Sequence, residues 1–597
     1  MRLIFILDNF ELMSFFGALS EYLWRPYTLY SLLAAGIIFT VATKFSQWFA
    51  LTHGSAVLTG KYDDPDHPGA ISHFQALSAA LSGTVGLGNI GGVALAISFG
   101  GPGALFWMWV TGLLGMAIKS VEVTLALMYR NEEDPRQPSG GAMWVVKKAT
   151  ADKGPVISTL GRLMGGIFCL TLLVSTITGG NIFQSWNVAE MMQANFGIGQ
   201  LYTSGAMAIL VGLVVIGGIE RIGVAAGIMV PVMCVLYFIA SLAVIGVNIA
   251  RVPEVMSLVV TSAFSPNAAA GAFLGAGAWY GFEVGMKRAL FSNEAGQGSA
   301  PIAHSAARTD HPAREGVVAG LEPFIDTLVI CTMTALVILL TGTWDRDPLA
   351  DLPEEVQLTA SATSGGSIIT LAPNISADSL APPAENQRWR AGDRIFVVVD
   401  THQVASNERG NSLERLLGRV EATPAADGTQ GGNALQVVWE SFEIAADAPM
   451  PTIRDRGFYR DLDGAPMTGI AFDSVFPGLG KWLISLAAFL FALSTMISWC
   501  YYGEQGVVYL VGPKLVMLYK LVFVVFAAIA PIAAYNAKAL EVITDLGTGL
   551  MLWGNLPILF GFGFAAVANF NQYVTDTRSG KLLPPEKKKA ATSTHEG

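Results

Sequence analysis

Charged side chains are scarce in this chain. Asp, Glu, Lys and Arg make up only 14% of its 597 residues, against roughly a quarter in soluble domains. Apolar residue types supply 52% of the sequence, and the mean hydropathy is +0.49. This composition excludes a single large soluble globule, and it excludes a disordered chain because disordered chains are poor in apolar residues. Apolar segments of about twenty residues recur, which predicts a polytopic helical membrane protein.

Cysteine and histidine are few as well. The four cysteines lie in apolar runs without CxxC or zinc-site spacing, so we interpret them as small buried hydrophobic residues. The seven histidines fall in predicted loops or tails, so the apolar segments contain no set of residues typical of an enzyme or a metal centre. A basic stripe is missing too, which argues against a nucleic-acid partner. We therefore expect neither an enzyme nor an organic cofactor.

Eleven apolar segments are candidate membrane helices. Two of them, 73–99 and 268–287, contain too many glycines to be uninterrupted helices. The eleven candidates are 28–51, 73–99, 102–129, 159–193, 202–217, 221–249, 268–287, 315–342, 478–511, 514–535 and 540–569.

The short-loop lysines and arginines predict the orientation. If the eleven segments alternate in direction, all of these basic residues fall on one side, which the positive-inside rule makes cytoplasmic. The N-terminus is then outside and the C-terminus inside, in a bacterial-type inner (plasma) membrane. The residues are Arg130, Arg136, Lys147, Lys148, Lys153, Arg221, Lys287, Arg288, Arg308, Arg314 and Lys514, together with the tail KLLPPEKKK.

One acidic segment interrupts the apolar pattern. Residues 345–470 contain ten arginines, no lysine and 19 acidic residues, whereas the rest of the chain is nearly neutral. Strand patterns at 367–373, 394–400 and 434–444 predict a β-rich domain here rather than a disordered loop. The expected organisation is an N-terminal extracytoplasmic segment 1–27, a transmembrane core 28–343, an acidic extracytoplasmic insert 344–474, a second part of the core 475–572 and a cytoplasmic tail 573–597.

The first glycine-rich candidate reads SGTVGLGNIGG over 82–92. It contains the letters GxGxxG, but a nucleotide site would need a preceding strand and a βαβ unit, and here the motif interrupts an apolar span. Within a membrane, unwound backbone is tolerated where it lines a cavity, and its free N–H and carbonyl groups can bind an anion or a cation. Tight helix packing through glycine is the alternative. The polar residues Thr84 and Asn89 at the same depth favour a ligand site.

The second glycine-rich candidate contains GAGAWYG over 275–281. When the first candidate helix is set aside, the two interrupted helices each begin a group of five. Interrupted helices at matching places in two halves are typical of transporters with inverted repeats. We therefore expect an all-α core of five plus five helices in the leucine-transporter arrangement, with one extra N-terminal helix.

Several long motifs then resemble the alanine/glycine:cation symporter family. These are GGPGALFWMWVTGLLG (100–115), FQALSAALSGTVGLGNIGGVALAI (74–97), LFSNEAGQGSAPIAHSAARTDHP (290–312), GNIFQSWNVAE (180–190) and STMISWCYYGE (494–504). The resemblance covers about 28–343 and 475–575, and it implies a sodium- or proton-coupled importer of alanine or glycine. The sequence departs from the family pattern at Leu87, at 139–146 and in the acidic insert.

The expected substrate site lies at the two breaks. We expect backbone N–H groups of the first break, aided by the Thr84 hydroxyl, to bind the substrate carboxylate, since a half-helix N-terminus attracts an anion. Carbonyls of the second break and the Gln184 side-chain oxygen are candidates for the amine, although an amide here could instead join helices. Phe273, Trp279 and Leu87 are expected to keep the pocket small. The candidate substrate-binding residues are Thr84, Gly86, Gly88, Asn89, Gln184, Phe273, Gly277 and Trp279.

The expected coupling ion is Na⁺, with H⁺ as the alternative. In the implied architecture a sodium site lies between the first broken helix and the eighth core helix, which here contains Ser494 and Thr495. Carbonyls near Ala80 and Gly83 would complete an oxygen site, unless the two hydroxyls bond only to their own helix. Asp326 is a candidate for proton coupling. The remaining alternatives are a transport-inactive amino-acid sensor of the same fold and, among substrates, serine or D-alanine; the sequence does not indicate the oligomeric state.

Overall fold

The structure is a computed structural model that describes most of the chain. The described residues are 10–134, 138–264, 278–362, 366–380, 389–402, 412–424, 433–445, 448–462, 464–533 and 537–582.

Helices dominate the fold. The α-helices are α1 (Phe10–Leu23), α2 (Pro26–Ala42), α3 (Ser46–Phe49), α4 (His73–Thr84), α5 (Val93–Gly100), α6 (Gly103–Met128), α7 (Ala142–Ala149), α8 (Pro155–Ile177), α9 (Phe183–Phe196), α10 (Gln200–Val215), α11 (Gly218–Val247), α12 (Val252–Phe264), α13 (Ala278–Asn293), α14 (Ala300–His304), α15 (Pro312–Ala319), α16 (Thr332–Thr341), α17 (Ala465–Asp473), α18 (Gly480–Val511), α19 (Val516–Ala528), α20 (Ala530–Ala533) and α21 (Ala537–Arg578). π-Helical turns at Ala50–Gly54, Val57–Lys61, Gly88–Gly92, Thr178–Ile182 and Phe324–Cys331, and 3₁₀ turns at Ile249–Arg251, Ala377–Ser379 and Pro513–Leu515, adjoin or connect them.

Several helices are long and apolar enough to cross a membrane. Six meet this test among the described residues, and the number rises to eight if each of two bent pairs is one span. One bent pair is the predicted first broken helix, in which α4 and the segment Gly88–Gly100 meet at 54°. Each of the eleven predicted spans overlaps helical residues, but several of these helices are short, such as α10 with 16 residues and α19 with 13. The chain is a multi-pass membrane protein, and the count of eleven and the inverted repeat remain predictions.

The first broken helix has a well-defined start and a sharp break. At its start Ser72 and Gln75 form a capping box, in which each side chain accepts a hydrogen bond from the other residue's backbone N–H. The helix ends at Thr84 because Val85 has an extended conformation. A π-helical turn and α5 then continue the span. The break thus falls within 82–92, where the glycines predict it.

The acidic segment contains two antiparallel sheets. The strands are β1 (Ala350–Asp351), β2 (Gln357–Ala362), β3 (Gly366–Ala372), β4 (Ile375–Ser376), β5 (Arg394–Asp400), β6 (Leu413–Pro424), β7 (Asn433–Trp439), β8 (Ser441–Ala445) and β9 (Thr452–Arg460). A six-stranded sheet has the order β1-β9-β5-β6-β7-β4, and a three-stranded sheet has the order β2-β3-β8. Val397, Val399 and Val437 lie in a separate apolar cluster between these strands. The segment 434–444, expected as one strand, forms the two strands β7 and β8.

The insert contacts the α5 end of the broken helix. Arg415 of β6 donates a hydrogen bond to Ser98 Oγ at 2.8 Å and lies over the Phe99 ring. Helix α17 lies inside the predicted insert 344–474, but its Met467 and Phe472 are buried in the membrane core and Thr468 donates to the Ile90 carbonyl at 3.2 Å. Residues from about 465 onward therefore pack as part of the core.

Arg130 connects several loops at the other end of the broken helix. Its guanidinium donates to the carbonyls of Ala307, Thr309 and Pro68 at 2.9–3.2 Å. Ile71, just before α4, pairs with Ala307. Three loops that the sequence assigns to one membrane side therefore meet at one end of the bundle, opposite the insert.

Candidate functional site

A small cavity lies at the break of the first broken helix. Four of the predicted substrate residues, Thr84, Gly86, Gly88 and Gln184, line it, as do Gly83 and Thr495 of the predicted sodium set. The lining, drawn from the described residues, contains no lysine or arginine. The complete set is Gly83, Thr84, Gly86, Gly88, Ser175, Gly179, Gln184, Phe291, Glu294, Gln297, Thr495, Trp499 and Thr548.

Glycine is needed at the break because other side chains approach the backbone closely. A Cβ atom added at Gly86 would lie 2.6 Å from Thr495 Oγ1, and one at Gly83 would lie 2.8 Å from the Tyr502 hydroxyl. At Gly88 the nearest atom would be in the Phe291 ring, at 3.2 Å. Because these glycines have no side chains, α18 can pack closely against the break, and the main chain of the break is open to the cavity.

Gln184 presents an acceptor to the cavity. Its Nε2 donates to the Gly179 carbonyl at 3.2 Å, which fixes the amide orientation. Its Oε1 is buried and has no hydrogen-bond partner among the described residues. A buried acceptor without a partner is unfavourable by about 1–3 kcal/mol. This oxygen is therefore suited to accept a hydrogen bond from a ligand, for example from the amine of a substrate.

Glu294 is a cavity residue that the sequence analysis missed. It follows α13, is almost fully buried, and has a left-handed backbone with φ 55°. Its Oε2 accepts a hydrogen bond from the Ser299 hydroxyl, and it forms no ion pair with a described residue. In the sequence SNEAGQGS (292–299) lies between two candidate membrane helices, 268–287 and 315–342, so Glu294 is not among the predicted ligands of the amine. The signal available in the sequence is an acid that directly follows an apolar helix and precedes two glycines, Gly296 and Gly298.

The aromatic wall differs from the expected one. Phe291 and Trp499 line the cavity, and Phe291 contacts Phe183 edge-on at 5.5 Å. Trp279 is 43% exposed and packs against Tyr30 and Phe282, so it lies away from the lining. Its helix, α13, packs closely against α6. A Cβ atom added at Gly285 would lie only 2.4 Å from the Ala104 carbonyl oxygen.

The other expected pocket residues are placed as follows. Leu87 is buried outside the lining. Phe273 and Gly277 lie outside the described residues. Of the second break, only the part from Ala278 onward is described, and it is helical.

The predicted sodium ligands are divided between two sides of α18. Thr495 faces the cavity, whereas Ser494 Oγ lies 3.6 Å from Met233 Sδ. Both hydroxyls donate to the Phe491 carbonyl within their own helix. The Gly83 carbonyl accepts from Trp499 Nε1 at 3.3 Å.

Other contacts tie α4 to α18. Ser498 Oγ donates to the Ala79 carbonyl and Ser82 Oγ to the Ser494 carbonyl, both at 2.7 Å. The Ala80 carbonyl, which lies inside α4, also accepts a long side-chain bond of 3.4 Å from Thr84 Oγ1. The predicted ligand set thus lies where the two helices contact each other, but its hydroxyls would have to turn to bind an ion.

Asn89 lies behind the cavity and joins the break to Asp326. Its Oδ1 accepts from the Gly86 N–H at 2.8 Å, and its Nδ2 donates to Asp326 Oδ1 at 2.6 Å. Asp326 belongs to the π-helical turn Phe324–Cys331. π-Helical turns are rare and often occur at functional sites.

The cavity is closed to a solute of several heavy atoms. The space open to the centre of a water-sized sphere is ≈ 20 Å³, and one water needs about 10–15 Å³ in the same measure. Only one or two waters fit, so the helices must separate before an amino acid can enter.

Comparison with known proteins connects this site to a function. The sequence profile described as the sodium:alanine symporter family matches residues 9–372 and 445–588. The chain belongs to the sodium:alanine symporter family. The resemblance found from the motifs is thereby confirmed. The matched ranges omit 373–444, which is the middle of the insert, and they include all residues that line the cavity.

Relatives within the sodium:alanine symporter family are named as transporters. The sodium/alanine symporter AgcS of Methanococcus maripaludis is 32% identical over 517 residues, which are 87% of this chain and 88% of the relative. The putative sodium/proton-dependent alanine carrier protein YrbD of Bacillus subtilis is 29% identical over 570 residues, or 95% and 93% of the two chains. The probable sodium/glutamine symporter GlnT of Bacillus subtilis is 35% identical over 336 residues, or 56% and 67%. These names support amino-acid transport by symport.

Proposed function

We propose that this protein imports a small neutral amino acid, alanine or glycine, together with Na⁺ by alternating access. Its place is a bacterial-type inner membrane, with the N-terminus and the insert outside and the C-terminus in the cytoplasm. The observation that carries the proposal is the buried Gln184 Oε1, which has no hydrogen-bond partner among the described residues. It lies beside an unwound, glycine-rich helix in a cavity whose described lining contains no basic residue. The names of the relatives AgcS and YrbD point in the same direction.

The substrate carboxylate is assigned to the break. Backbone N–H groups at Gly86 and Gly88, next to the start of a helical segment, favour an anion without any buried arginine. The absence of lysine and arginine from the described lining supports this assignment. The Thr84 hydroxyl makes only long bonds of 3.4 Å to carbonyls of its own helix, so it can turn toward the carboxylate.

The substrate amine is assigned to Gln184 and Glu294. Both face the same cavity, and an ammonium group donates three hydrogen bonds that suit an amide oxygen and a carboxylate. Glu294 forms no direct ion pair with a described residue, so a substrate ammonium would be its first cationic contact. The second-break carbonyls and Gly277 remain candidates beside them.

The size of the substrate is limited by bulky neighbours. Phe291 and Trp499 occupy the cavity wall, and Thr495 approaches Gly86 closely. A larger side chain would have to displace one of these groups. Glycine and alanine differ by one methyl, worth only about 1–3 kcal/mol in a pocket, so both fit this proposal.

The coupling ion is assigned to the contact between α4 and α18. Carbonyls of Ala80 and Gly83 and the hydroxyls of Ser494 and Thr495 are hard oxygen donors of the kind that unwound segments offer Na⁺. Thr495 is the best supported of the four because it also lines the cavity. An ion there would order the segment that holds the substrate, so that each ligand lowers the ordering cost for the other.

Uptake of radiolabelled L-alanine into proteoliposomes tests the proposal. Saturable uptake that requires an inward Na⁺ gradient at fixed pH is the expected result. Gln184→Leu should reduce alanine affinity about tenfold or more, since a hydrogen bond to a charged group contributes about 1.5–3 kcal/mol. Gln505→Leu is the matched control, because Gln505 also has a buried Oε1 with no partner in the described part of the chain but lies outside the cavity lining.

Other outcomes would change the proposal in defined ways. Uptake driven by a proton gradient but indifferent to Na⁺ would replace the ion by H⁺, which the buried acids Glu294 and Asp326 could carry. Alanine binding by folded protein without any uptake would replace transport by sensing. If Gln505→Leu and Gln184→Leu lower affinity equally, the assigned amine site is wrong.

A further inference from the structure

Five ionisable side chains form a fully buried network at the end of the bundle opposite the insert. The Glu315 carboxylate of α15 lies within hydrogen-bonding distance of Nδ1 of two histidines, His73 at the start of α4 and His304 of α14, the latter at 2.6 Å. His304 Nε2 lies 3.6 Å from Glu322 Oε2, and Lys119 of α6 pairs with Glu322 Oε1 at 3.1 Å. All five side chains are excluded from solvent. We call this set the inner network.

The geometry of the inner network fixes how many protons it holds. An ionised carboxylate only accepts hydrogen bonds, so both histidines need a proton on Nδ1 to bond to Glu315. In a neutral imidazole the other nitrogen is then a bare acceptor. On His304 that acceptor would face a Glu322 oxygen, which is an acceptor too. His304 therefore fits its place when Nε2 is also protonated, and moving its Nδ1 proton onto Glu315 leaves the number of protons unchanged.

His73 does not offer a second place of this kind. Its Nε2 is buried and has no hydrogen-bond partner among the described residues, so a proton there would meet no acceptor. The charges agree with a single proton. With Glu315 and Glu322 ionised and Lys119 charged, one proton makes the inner network neutral. Without it a negative charge stays buried, which is strongly unfavourable.

Neighbouring elements bring further titratable or charged groups near the inner network. These include Glu122 of α6, Arg130 in the loop after α6, Glu294 after α13 and Tyr502 of α18. Glu122 and Glu294 are hydrogen-bonded to neutral groups. The Arg130 guanidinium pairs with Glu132 and donates to the Ser305 carbonyl at 3.5 Å. Among the described acids only Glu315 and Glu322 pair with His304, so these two carboxylates set its charge.

We propose that His304, placed between Glu315 and Glu322, binds a proton that holds the inner ends of α4 and α14 together. With the proton bound, the inner network is neutral and packs without water, and Glu315 connects the two helices. When the proton leaves, the uncompensated charge draws in water and α4 separates from its neighbours. Opening exposes His304 to water and favours release of the proton, so each event promotes the other.

The direction of the pH effect follows from the number of protons that each form holds. The closed form keeps one proton more than the open form where an exposed histidine, with a pKa of about 6.5, is already neutral. Each unit rise in pH within this range should increase the ratio of open to closed protein by up to about tenfold. Below about pH 6.5 both forms hold the proton and the dependence disappears.

The proton site goes beyond the proposed transport and does not depend on it, because the inner network needs no substrate. Only the consequence for alanine release, and the assignment of this end to the cytoplasm, rest on the proposed function. The two can therefore fail separately.

Histidine NMR of the full-length protein in nanodiscs tests proton binding. Side-chain ¹⁵N shifts distinguish an imidazolium from a neutral ring. At about pH 8, where an exposed histidine is neutral, one imidazolium signal should persist in wild type and vanish in His304→Gln. His67→Gln is the matched control and should keep the signal. His67 also lies beside an acid, with its Nε2 3.4 Å from Asp310, but its side chain is 23% exposed.

Distances between two spin labels report whether the inner ends open. Phe74→Cys in α4 and Val511→Cys at the end of α18 place the labels on exposed positions of two helices that are in contact. The longer distance should gain population between about pH 6.5 and 8, by up to about tenfold per unit. His304→Gln should remove this dependence. Glu315→Gln, which also serves if His304→Gln does not fold, should shift it to lower pH because one carboxylate is lost. Unsubstituted protein, labelled in the same way, gives the background from the native cysteines.

Several results would overturn the inference. A wild type without an imidazolium at pH 8, or a signal that persists in His304→Gln, would refute the proton site. A wild-type distance distribution that ignores pH would refute its control of opening. Unchanged pH dependence in both His304→Gln and Glu315→Gln would assign the effect to another group. Absence of Na⁺-driven alanine uptake in protein that shows the imidazolium would contradict the proposed function but leave the proton site standing.

Discussion

Gly86→Ala is the change for which the structure gives the clearest magnitude. The backbone at Gly86 does not have a left-handed φ, so alanine can adopt it and the effect comes from space alone. The added Cβ would lie 2.6 Å from Thr495 Oγ1 and 3.7 Å from Gln184 Oε1. Contacts below 3.0 Å force a shift of one group, and overpacking of this kind costs about 1–3 kcal/mol.

The shift would fall on the groups that bind the ligands. Thr495 Oγ1 donates to the Phe491 carbonyl at 3.0 Å, so either this hydrogen bond breaks or the break moves away from α18. If the whole strain falls on the bound state, alanine affinity decreases by about 5- to 150-fold, since 1.4 kcal/mol is tenfold. Binding of radiolabelled L-alanine to purified protein measures this directly, and thermal unfolding shows whether the fold is retained.

A second substitution tests whether the contact with Thr495 Oγ1 causes the loss of alanine affinity. Thr495→Ala removes the atom at 2.6 Å and leaves the Cβ at 3.6 Å, an ordinary contact. In Gly86→Ala/Thr495→Ala the loss of affinity should therefore be smaller than the sum of the two single losses, a coupling of at least about 0.5 kcal/mol. Gly92→Ala is the matched control in the same broken helix, because its Cβ would meet nothing closer than Arg288 Cδ at 3.9 Å. Wild-type affinity in Gly86→Ala, or strict additivity in the double variant, would refute the close approach of α18 to the break.

Two further predictions concern the rest of the chain. Replacing 351–457 by a short linker should leave folded protein with Na⁺-dependent uptake, because Ala350 and Phe458 are paired neighbours in the sheet; folded protein without any alanine binding would make the insert part of the transport mechanism. Lys119→Met should destabilise the protein by up to about 3–5 kcal/mol in thermal unfolding, because it removes the ammonium partner of the fully buried Glu322 and leaves His304 Nε2, at 3.6 Å, beside that carboxylate. Lys119→Met/Glu322→Met should recover part of that loss, and a single variant as stable as wild type would contradict the buried pair.

The first break was predictable because its signal is local. Glycines within an otherwise apolar span predict unwound backbone, and Thr84, Gly86 and Gly88 do line the cavity. Gln184 could be selected for a similar reason, as a polar side chain in the middle of an apolar span. The strand β5 was predicted with its observed bounds, since an unbroken β-branched run identifies a buried strand.

The residues that the sequence did not reveal depend on contacts between distant segments. His73 and His304 were assigned to loops, yet both are fully buried and bonded to the Glu315 carboxylate. Nothing within ten residues of His73 indicates a partner 242 positions away. Trp279 was predicted to line the pocket but lies outside the cavity lining. The local sequence pattern does not show which face of its helix points outward.

The position of Asp326 relative to the break depends on helix geometry. The π-helical turn Phe324–Cys331 changes which residues of this helix face Asn89. A pattern of ordinary helical period does not foresee this change. Similarly, the course of α17 against Ile90 could not be predicted, because an apolar nine-residue segment after a folded insert fits either the insert or the core.

The most direct test of the account is the movement of Na⁺ driven by alanine. Proteoliposomes with equal Na⁺ on both sides receive an inward L-alanine gradient, and entry of ²²Na⁺ is followed with the membrane potential clamped. The account predicts net Na⁺ accumulation that needs L-alanine and is lost in Gln184→Leu but retained in Gln505→Leu. Alanine entry without any accompanying Na⁺, in protein shown to be folded, would contradict sodium symport.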